Sequence, residues 1–278
     1  MAVVTRRLKG MASIGLVAAL GIAASVGLAS SAAARPRPVR ATVATAPVTT
    51  ASFNFSATVS GIAKGVGAIS VTGTGQADLV NDAVSLAVTL PGSVARLIPG
   101  GSAAPEVINI VFSGGTVYAE VPSLATLLGA PWISLSLPSS ATSGVPGIFT
   151  EVGGALGDVN EILAFAHSHH AAVHSLGSSM VDDTSVTGSR ITARVKGLNI
   201  AATLWADSSN RLVQATVRAT THRSLGISAV VNFSGYGAPV TISVPPSSQV
   251  KAIPLSVVTT VLGGLLHHAH VARHGAKV

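Results

Sequence analysis

Nine histidines stand out in a chain of 278 residues that contains no cysteine. His167, His170 and His174 follow one another at i, i+3 and i+7. The spacing returns near the end of the chain in His267, His270 and His274, with His268 beside them. Neutral imidazoles at such helical spacing can hold zinc, copper or nickel. A closed site wants a third or fourth ligand of another kind, and no thiolate is available. Asp158 and Glu161 lie near in sequence but off the stripe. A polar outer helix face and a solvated tail account for the same histidines, so neither a metal nor another cofactor is expected.

Nucleophilic and acid–base arrangements are poor. The chain has no Gly-x-Ser-x-Gly elbow and no His-Glu-x-x-His pair. Asp182 and Asp183 are adjacent, so on a strand they would point to opposite faces and make a weak carboxylate pair. Asp207 and Asn210 read as turn residues. Gly61–Gly75 is glycine-rich, but strand alternation runs through it and no phosphate cradle is evident. The expectation is a protein that is not an enzyme.

The elements that would position any site are mostly strands. From Ser52 the period is two: Phe53, Phe55, Ala57 and Val59 alternate with Asn54, Ser56 and Thr58. A second strand covers roughly Gly67–Leu79, and Asn81-Asp82 turns it into a third whose Val84, Leu86, Val88 and Leu90 share a face. Pro91–Pro105 is a loop. Glu106–Phe112 and Thr116–Val121 form a hairpin across Gly114-Gly115. Pro122–Gly129 makes a short helical turn, and Trp132–Leu137 alternates again. A helix is expected over Asp158–Leu176, capped by Asp158 with Glu161 three residues on and stopped by Gly177. Strands resume at about Ser179–Thr187, Arg190–Val195, Ala201–Trp205, Arg211–Thr220, Ile227–Phe233 and Thr241–Val244, before Pro245-Pro246. About ten strands in hairpin order with one firm helix specify a mainly β (α+β) fold, an antiparallel sheet with the helix laid on one face.

Charge narrows the function classes. The formal net charge is +7, but it sits at the ends: Arg6, Arg7 and Lys9, then Arg35, Arg37 and Arg40, then Arg273 and Lys277. Between Ala41 and Val271 nine Lys/Arg face ten Asp/Glu. No basic stripe with interleaved aromatics exists, so nucleic acid is not an expected partner. A basic head, the uncharged run Met11–Ala29 and the small residues Ala32–Ala34 read as a secretory signal. An uncleaved bilayer anchor is the competing reading, since the run is about long enough to span. The division expected is 1–34 signal peptide, 35–50 flexible linker, 51–250 folded domain and 251–278 His-bearing tail. In that tail Leu255–Leu266 is too short to span a bilayer.

A sheet of this size must curl. Its inner residues are Ala, Val, Leu and Ile with few aromatics, and one helix cannot fill the concave side. Either the interior packs closed or an apolar cavity remains that would accept acyl chains, at about 0.8 kcal/mol per buried methylene.

Several segments carry a resemblance. They are Val107–Leu137 with Gly114-Gly115, Thr116-Val117-Tyr118 and Ala130-Pro131-Trp132-Ile133; Val186-Thr187-Gly188; Leu204-Trp205-Ala206-Asp207; Asn210-Arg211-Leu212; and Phe233-Ser234-Gly235-Tyr236-Gly237 through Val240–Pro246. In that order, over about Gly67–Val250, the chain resembles the actinobacterial LppX/LprG-type lipid-carrier lipoproteins. The resemblance implies a LolA-like, strongly curved antiparallel half-barrel with one or two helices covering its concave face. It also implies binding of acylated lipid or glycolipid in the cell envelope. The chain departs from that family in lacking a lipidated cysteine and in adding the tail Pro254–Val278.

The ligand wall expected from these arguments comprises Leu86, Val88, Leu90, Ile108, Ile110, Phe112, Tyr118, Trp132, Ile162 and Phe165. Trp205 and Tyr236 could join a ligand mouth, although core packing is the commoner fate of such rings. The expected protein is an exported monomeric carrier, soluble or wall-associated, with contacts to a membrane surface or an envelope transporter. An envelope interaction module of the same fold without lipid, and a weak His-based metal binder, stand as the alternatives.

Overall fold

In a computed structural model, which describes residues 48–61, 67–96, 98–136, 159–195, 197–221 and 225–254, polar–apolar alternation becomes a single open sheet. Its strands are β1 (Thr50–Ser60), β2 (Ile69–Asp78), β3 (Ala83–Leu90), β4 (Glu106–Ser113), β5 (Thr116–Glu120) and β6 (Trp132–Ser136), then β7 (Ala172–Val181), β8 (Thr184–Val195), β9 (Leu198–Ala206), β10 (Leu212–Thr221), β11 (Gly226–Ser234) and β12 (Val250–Ala252). The order across the sheet is β12-β6-β5-β4-β3-β2-β1-β11-β10-β9-β8-β7. Each neighbouring pair is antiparallel except β12 on β6, which is parallel. The sheet is curved and does not close, so the mainly β, half-barrel architecture expected from the sequence is the one observed. Three helices join it: α1 (Gly92–Ala95), α2 (Pro122–Leu128) and α3 (Val159–Ser168).

Register puts every apolar series on the same side, because directly opposed residues of paired strands share a face. One row runs Phe233–Phe53–Gly75–Leu86–Ile110–Ala119–Ile133 from β11 to β6. The next runs Leu204–Ala215–Val231–Phe55–Gly73–Val88–Ile108 from β9 to β4. The opposite face carries Ser, Thr, Asn and Gln. There Gln214 Nε2 donates to Asn232 Oδ1 at 2.8 Å, and Asn232 Nδ2 donates to Asn54 Oδ1 at 2.9 Å. Three strands are thereby tied by amides on the wet side.

Among the described residues, two of these helices pack against the apolar face. Val159 and Ile162 of α3 pack on Leu204, Ala206 and Leu212, with Phe233 and Tyr236 at the margin. At the other half, Val94 of α1, Ile98 and Val121 pack against Val88, Leu90 and Ile108. Between them Ala77, Val84 and Phe112 form a third cluster, joined by Phe53, Leu86 and Val117.

Several expectations need correction. The helix ends at Ser168, and Ala172–Val181 is a strand. Its stop is a backbone motif: His170 N–H donates to His167 O at 3.1 Å, and Ala171 N–H to Ala166 O at 3.0 Å, with His170 at φ 57°. This is a Schellman closure in which a histidine takes the left-handed position that glycine usually fills. Gly177 instead sits at φ 75° beside a register shift in the β7–β8 pair. Asp182 and Asp183 do not lie in a strand. At φ 44° and 62° they form the two-residue loop joining Val181 to Thr184, the backbone that a type I′ hairpin requires. Thr241–Val244 forms no strand, and the last one is Val250–Ala252. The expected cap Asp158 lies outside the described residues, as does the tail from 255 onward. Ser179–Thr187 divides at its turn, its first part ending the strand Ala172–Val181 and its second part running on with Arg190–Val195 in the strand Thr184–Val195.

Two glycines set how closely β1 and β2 lie under their aromatic cover. A Cβ on Gly75 would come within 2.4 Å of the Phe53 ring and 2.7 Å of Ser85 O; one on Gly73 would meet Phe55 at 2.6 Å and Ala87 O at 2.4 Å. Backbone and ring cannot both yield. Gly75→Val is therefore expected to lower unfolding stability by about 1–3 kcal/mol through overpacking. Gly67→Ala, where nothing lies within 4 Å, is the control and should leave the urea midpoint nearly unmoved.

Candidate functional site

The apolar face has a middle that no described helix covers. Val88, Leu90, Ile108 and Phe112 are buried, whereas Phe53, Phe55, Leu86, Ile110, Val117, Val231 and Phe233 are half-buried. This half-buried band lies between the α3 cluster on β9–β10 and the α1 cluster on β3–β4. Its floor is low at Gly73 and Gly75, where only the flattened Phe53 and Phe55 rings stand above the backbone. Phe53 and Phe233 face each other with ring centroids 6.1 Å apart, tilted by 47°, an arrangement in which both rings keep apolar surface toward the band. The charged residue that reaches this face on β1–β6 is Glu106, opposite Leu90 at its end. Its carboxylate is engaged, accepting from Ser123 N–H at 2.8 Å at the start of α2.

Six of the expected wall residues come together here. Leu86, Val88 and Leu90 alternate along β3. Val88 lies opposite Ile108, Leu86 opposite Ile110, and Phe112 opposite Val84. Tyr118 and Trp132 do not join them: Tyr118 pairs with Val111 and Trp132 with Glu120, so both stand on the polar face. The reason is parity. Ile110 pairs with Ala119 and Phe112 with Val117, which sends the residue between them outward. Ile162 shares the apolar face but packs on β9–β10, away from β3–β4. Phe165 belongs to α3, and its side chain lies outside the described part. Phe53, Phe55, Val117, Val231 and Phe233 were missed as site residues. Their alternation was legible, but only the strand order shows that β1 and β11 lie at the centre of the sheet.

The histidine stripe does not exist as one. His167 is on α3, His170 is in the left-handed cap and His174 is on β7. Among the described residues no three His, Cys, Asp or Glu side chains gather as metal ligands. His267, His268, His270 and His274 fall outside them. Two shallow depressions, of about 480 and 460 Å³, open chiefly on the polar face. One lies over β7–β10; the other is lined by Ser52, Asn54, Thr74, Gln76, Ser85 and Asn109.

The margin of the apolar band is fixed by a polar clamp. Asp207 Oδ1 accepts from Ser209 N–H at 2.8 Å and Arg211 N–H at 3.0 Å, which makes the β9–β10 turn. Arg211 returns an ion pair to Asp207 Oδ2 at 2.8 Å and places its guanidinium 5.5 Å from the Tyr236 ring centroid. The Tyr236 hydroxyl donates to Leu212 O. Burial, then the Asp207 charge, pushes the Tyr236 phenol well above its ordinary range, against a smaller opposing effect of Arg211.

No protein-family model matches the chain, and no curated protein does. Solved structures do. Lipoprotein LppX of Mycobacterium tuberculosis is 13% identical, with a TM-score of 0.37, over 70% of this chain and 90% of that one. A domain from Vibrio parahaemolyticus assigned as an outer membrane lipoprotein-sorting protein is 8% identical, with a TM-score of 0.26, over 69% and 87% of the two chains. These neighbours are of the kind that the sequence resembles.

The clamp is open to measurement. The chain has two tyrosines, so Tyr118→Phe isolates Tyr236. In an absorbance titration the folded variant should show no phenolate through about pH 10, whereas the urea-unfolded chain ionises near that value. Because the folded pKa is raised, the stability this group contributes is present below the unfolded pKa and is lost as pH rises beyond it. Tyr236→Phe should cost about 0.5–1.5 kcal/mol by removing the donor to Leu212 O.

Proposed function

We propose that this chain is an exported, non-enzymatic binder or carrier of an acylated lipid or glycolipid of the cell envelope, holding acyl chains against the apolar face. One observation carries the reading. The row Phe233–Phe53–Gly75–Leu86–Ile110–Ala119–Ile133 is apolar across seven strands, yet much of it is only half-buried. A protein that ends with such a continuous apolar band exposed in part has a surface that favours covering by another apolar group. A straight acyl chain fits that geometry because the row is long and low. Ten buried methylenes would contribute roughly 8 kcal/mol before the costs of ordering chain and ligand.

Leu86, Val88, Ile108, Ile110 and Phe112 would form one wall, Phe53, Phe55 and Phe233 the floor, and Ile162 with Phe165 the helix side. Tyr118 and Trp132, on the other face, fall out of the proposed contact set. Among the described residues of β1–β6 the charged side chain on this face is Glu106, and its carboxylate is engaged by Ser123 N–H. Residues 1–34 are read as a signal peptide and the mature protein as a monomer of the envelope or its exterior, touching a membrane surface or an envelope transporter during transfer. The reading as an interaction module without lipid draws support from a different observation, that both depressions open on the polar face.

Native mass spectrometry of the chain purified from its own host, followed by organic extraction, tests the proposal. The expected result is a stoichiometric added mass that extracts as acylated lipid, on a chain whose N-terminus begins near Arg35. A bare protein that also fails to take up a fluorescent fatty-acyl probe would overturn lipid binding and leave the interaction module. A retained Met1 would overturn cleavage alone.

A further inference from the structure

One row of paired residues on the polar face is rich in carboxamides. Gln214–Asn232–Asn54–Thr74–Ala87–Asn109–Glu120–Trp132 runs from β10 to β6. Four of these eight residues are Asn or Gln, although asparagine is disfavoured in strands. Threonine would wet the same face without that cost.

The amides are bonded in two groups with a gap between them. On one side Gln214 Nε2 donates to Asn232 Oδ1, and Asn232 Nδ2 donates to Asn54 Oδ1. Asn54 therefore ends its group with Nδ2, a donor. On the other side Asn109 Nδ2 donates to Glu120 Oε2 at 2.7 Å. Asn109 therefore ends its group with Oδ1, an acceptor. Thr74 and Ala87 lie between them, and the Ala87 side chain is too short to fill the gap. The depression of about 460 Å³ opens there, lined by Asn54, Thr74, Gln76, Ser85, Ala87 and Asn109 among others. Asn54 and Asn109 are three strand spacings apart, roughly 14 Å.

A donor on one bank, an acceptor on the other and the Thr74 and Ser85 hydroxyls between them suit a ligand whose polar groups both donate and accept. Hydroxyls do so. A sugar ring also has C–H faces that favour apolar cover. Trp132 ends the row opposite Glu120, and Tyr118 stands on the same face opposite Val111 and Ser134. Both rings are half-buried, so each keeps aromatic surface beside polar neighbours. From Asn54 to Trp132 is five strand spacings, roughly 24 Å, a span that suits a chain of sugars better than a single one. The Glu120 carboxylate in the row disfavours an anionic chain.

We propose that this row binds a neutral glycan chain of hexopyranose units. The chain lies across the strands, with hydroxyls between Asn54 and Asn109 and a ring face on Trp132. The occupant is a free polysaccharide. A glycolipid held by its acyl chains on the apolar face would carry its sugar on the other side of the sheet. The inference does not rest on lipid binding.

The test is residue-resolved NMR of the isotope-labelled full chain. The probes are maltohexaose, cellohexaose, mannohexaose and chitohexaose, with a glycine–serine peptide as a control that hydrogen-bonds without ring faces. The expected result is saturable perturbation of the Thr74, Ala87 and Asn109 amides and the Trp132 indole by at least one oligosaccharide. It should persist from about 0.05 to 0.5 M salt, because no ion pair is screened. Trp132→Ala should weaken it about tenfold. Ala87→Gln, which fills the gap from the solvent side, should weaken it similarly and serves if Trp132→Ala does not fold. No saturable change with any oligosaccharide, a response to the peptide alone, or a response that survives in Ala87→Gln would overturn the proposal. Each would leave acyl binding on the apolar face untouched.

Discussion

Register is the constraint on which this molecule depends. A strand has a side-chain period of two, so a slip of one residue sends its apolar series to the wrong side. Here eleven antiparallel strands are held so that Phe53 meets Gly75, Leu86 meets Ile110 and Val217 meets Ala229. The short loops help to fix it: Gly114-Gly115 and Asp182-Asp183 each join adjacent paired residues with left-handed backbone at both positions. Longer turns are fixed by carboxylates. Asp78 accepts from the Val80 and Asn81 N–H groups and from the Asn81 side chain, and these bonds, led by that of the Asn81 amide, hold its pKa below the usual value against the opposing effect of desolvation.

Once register is set, the two faces acquire different chemistry from the same strands. On one side Val, Leu, Ile and Phe make a band whose middle no described helix covers. On the other, hydroxyls and amides bond across strands and toward water. Small residues matter on both faces, for a common reason. Gly73 and Gly75 allow aromatic rings to lie flat on the apolar side, while Trp205 crosses Gly188 on the other, where a Cβ would stand 2.3 Å from its ring.

Much of this was legible in the residues. The alternation in Phe53–Val59 and Val84–Leu90 gave strands and faces because half-burial imposes it directly. The alternation of Leu86 with Val88 and of Ile108 with Ile110 was legible in the same way, and the antiparallel pairing of consecutive strands sets them opposite one another. The helix past Ser168 was misread because its stop is a histidine in a left-handed conformation, without the glycine that usually marks such a turn. Tyr118 and Trp132 were misplaced because aromatic character says nothing of parity within a strand.

The sequence by itself determined the fold class and most of the strand-forming segments, because these rest on local periodicity and on residue types. Tertiary structure alone decided that β1 and β11 are neighbours across 166 or more residues, and that α3 packs on β9–β10. Those facts arise from long-range pairing, in which contacts between distant segments are selected by the whole sheet's register and by what each face must bury. No local pattern carries that information.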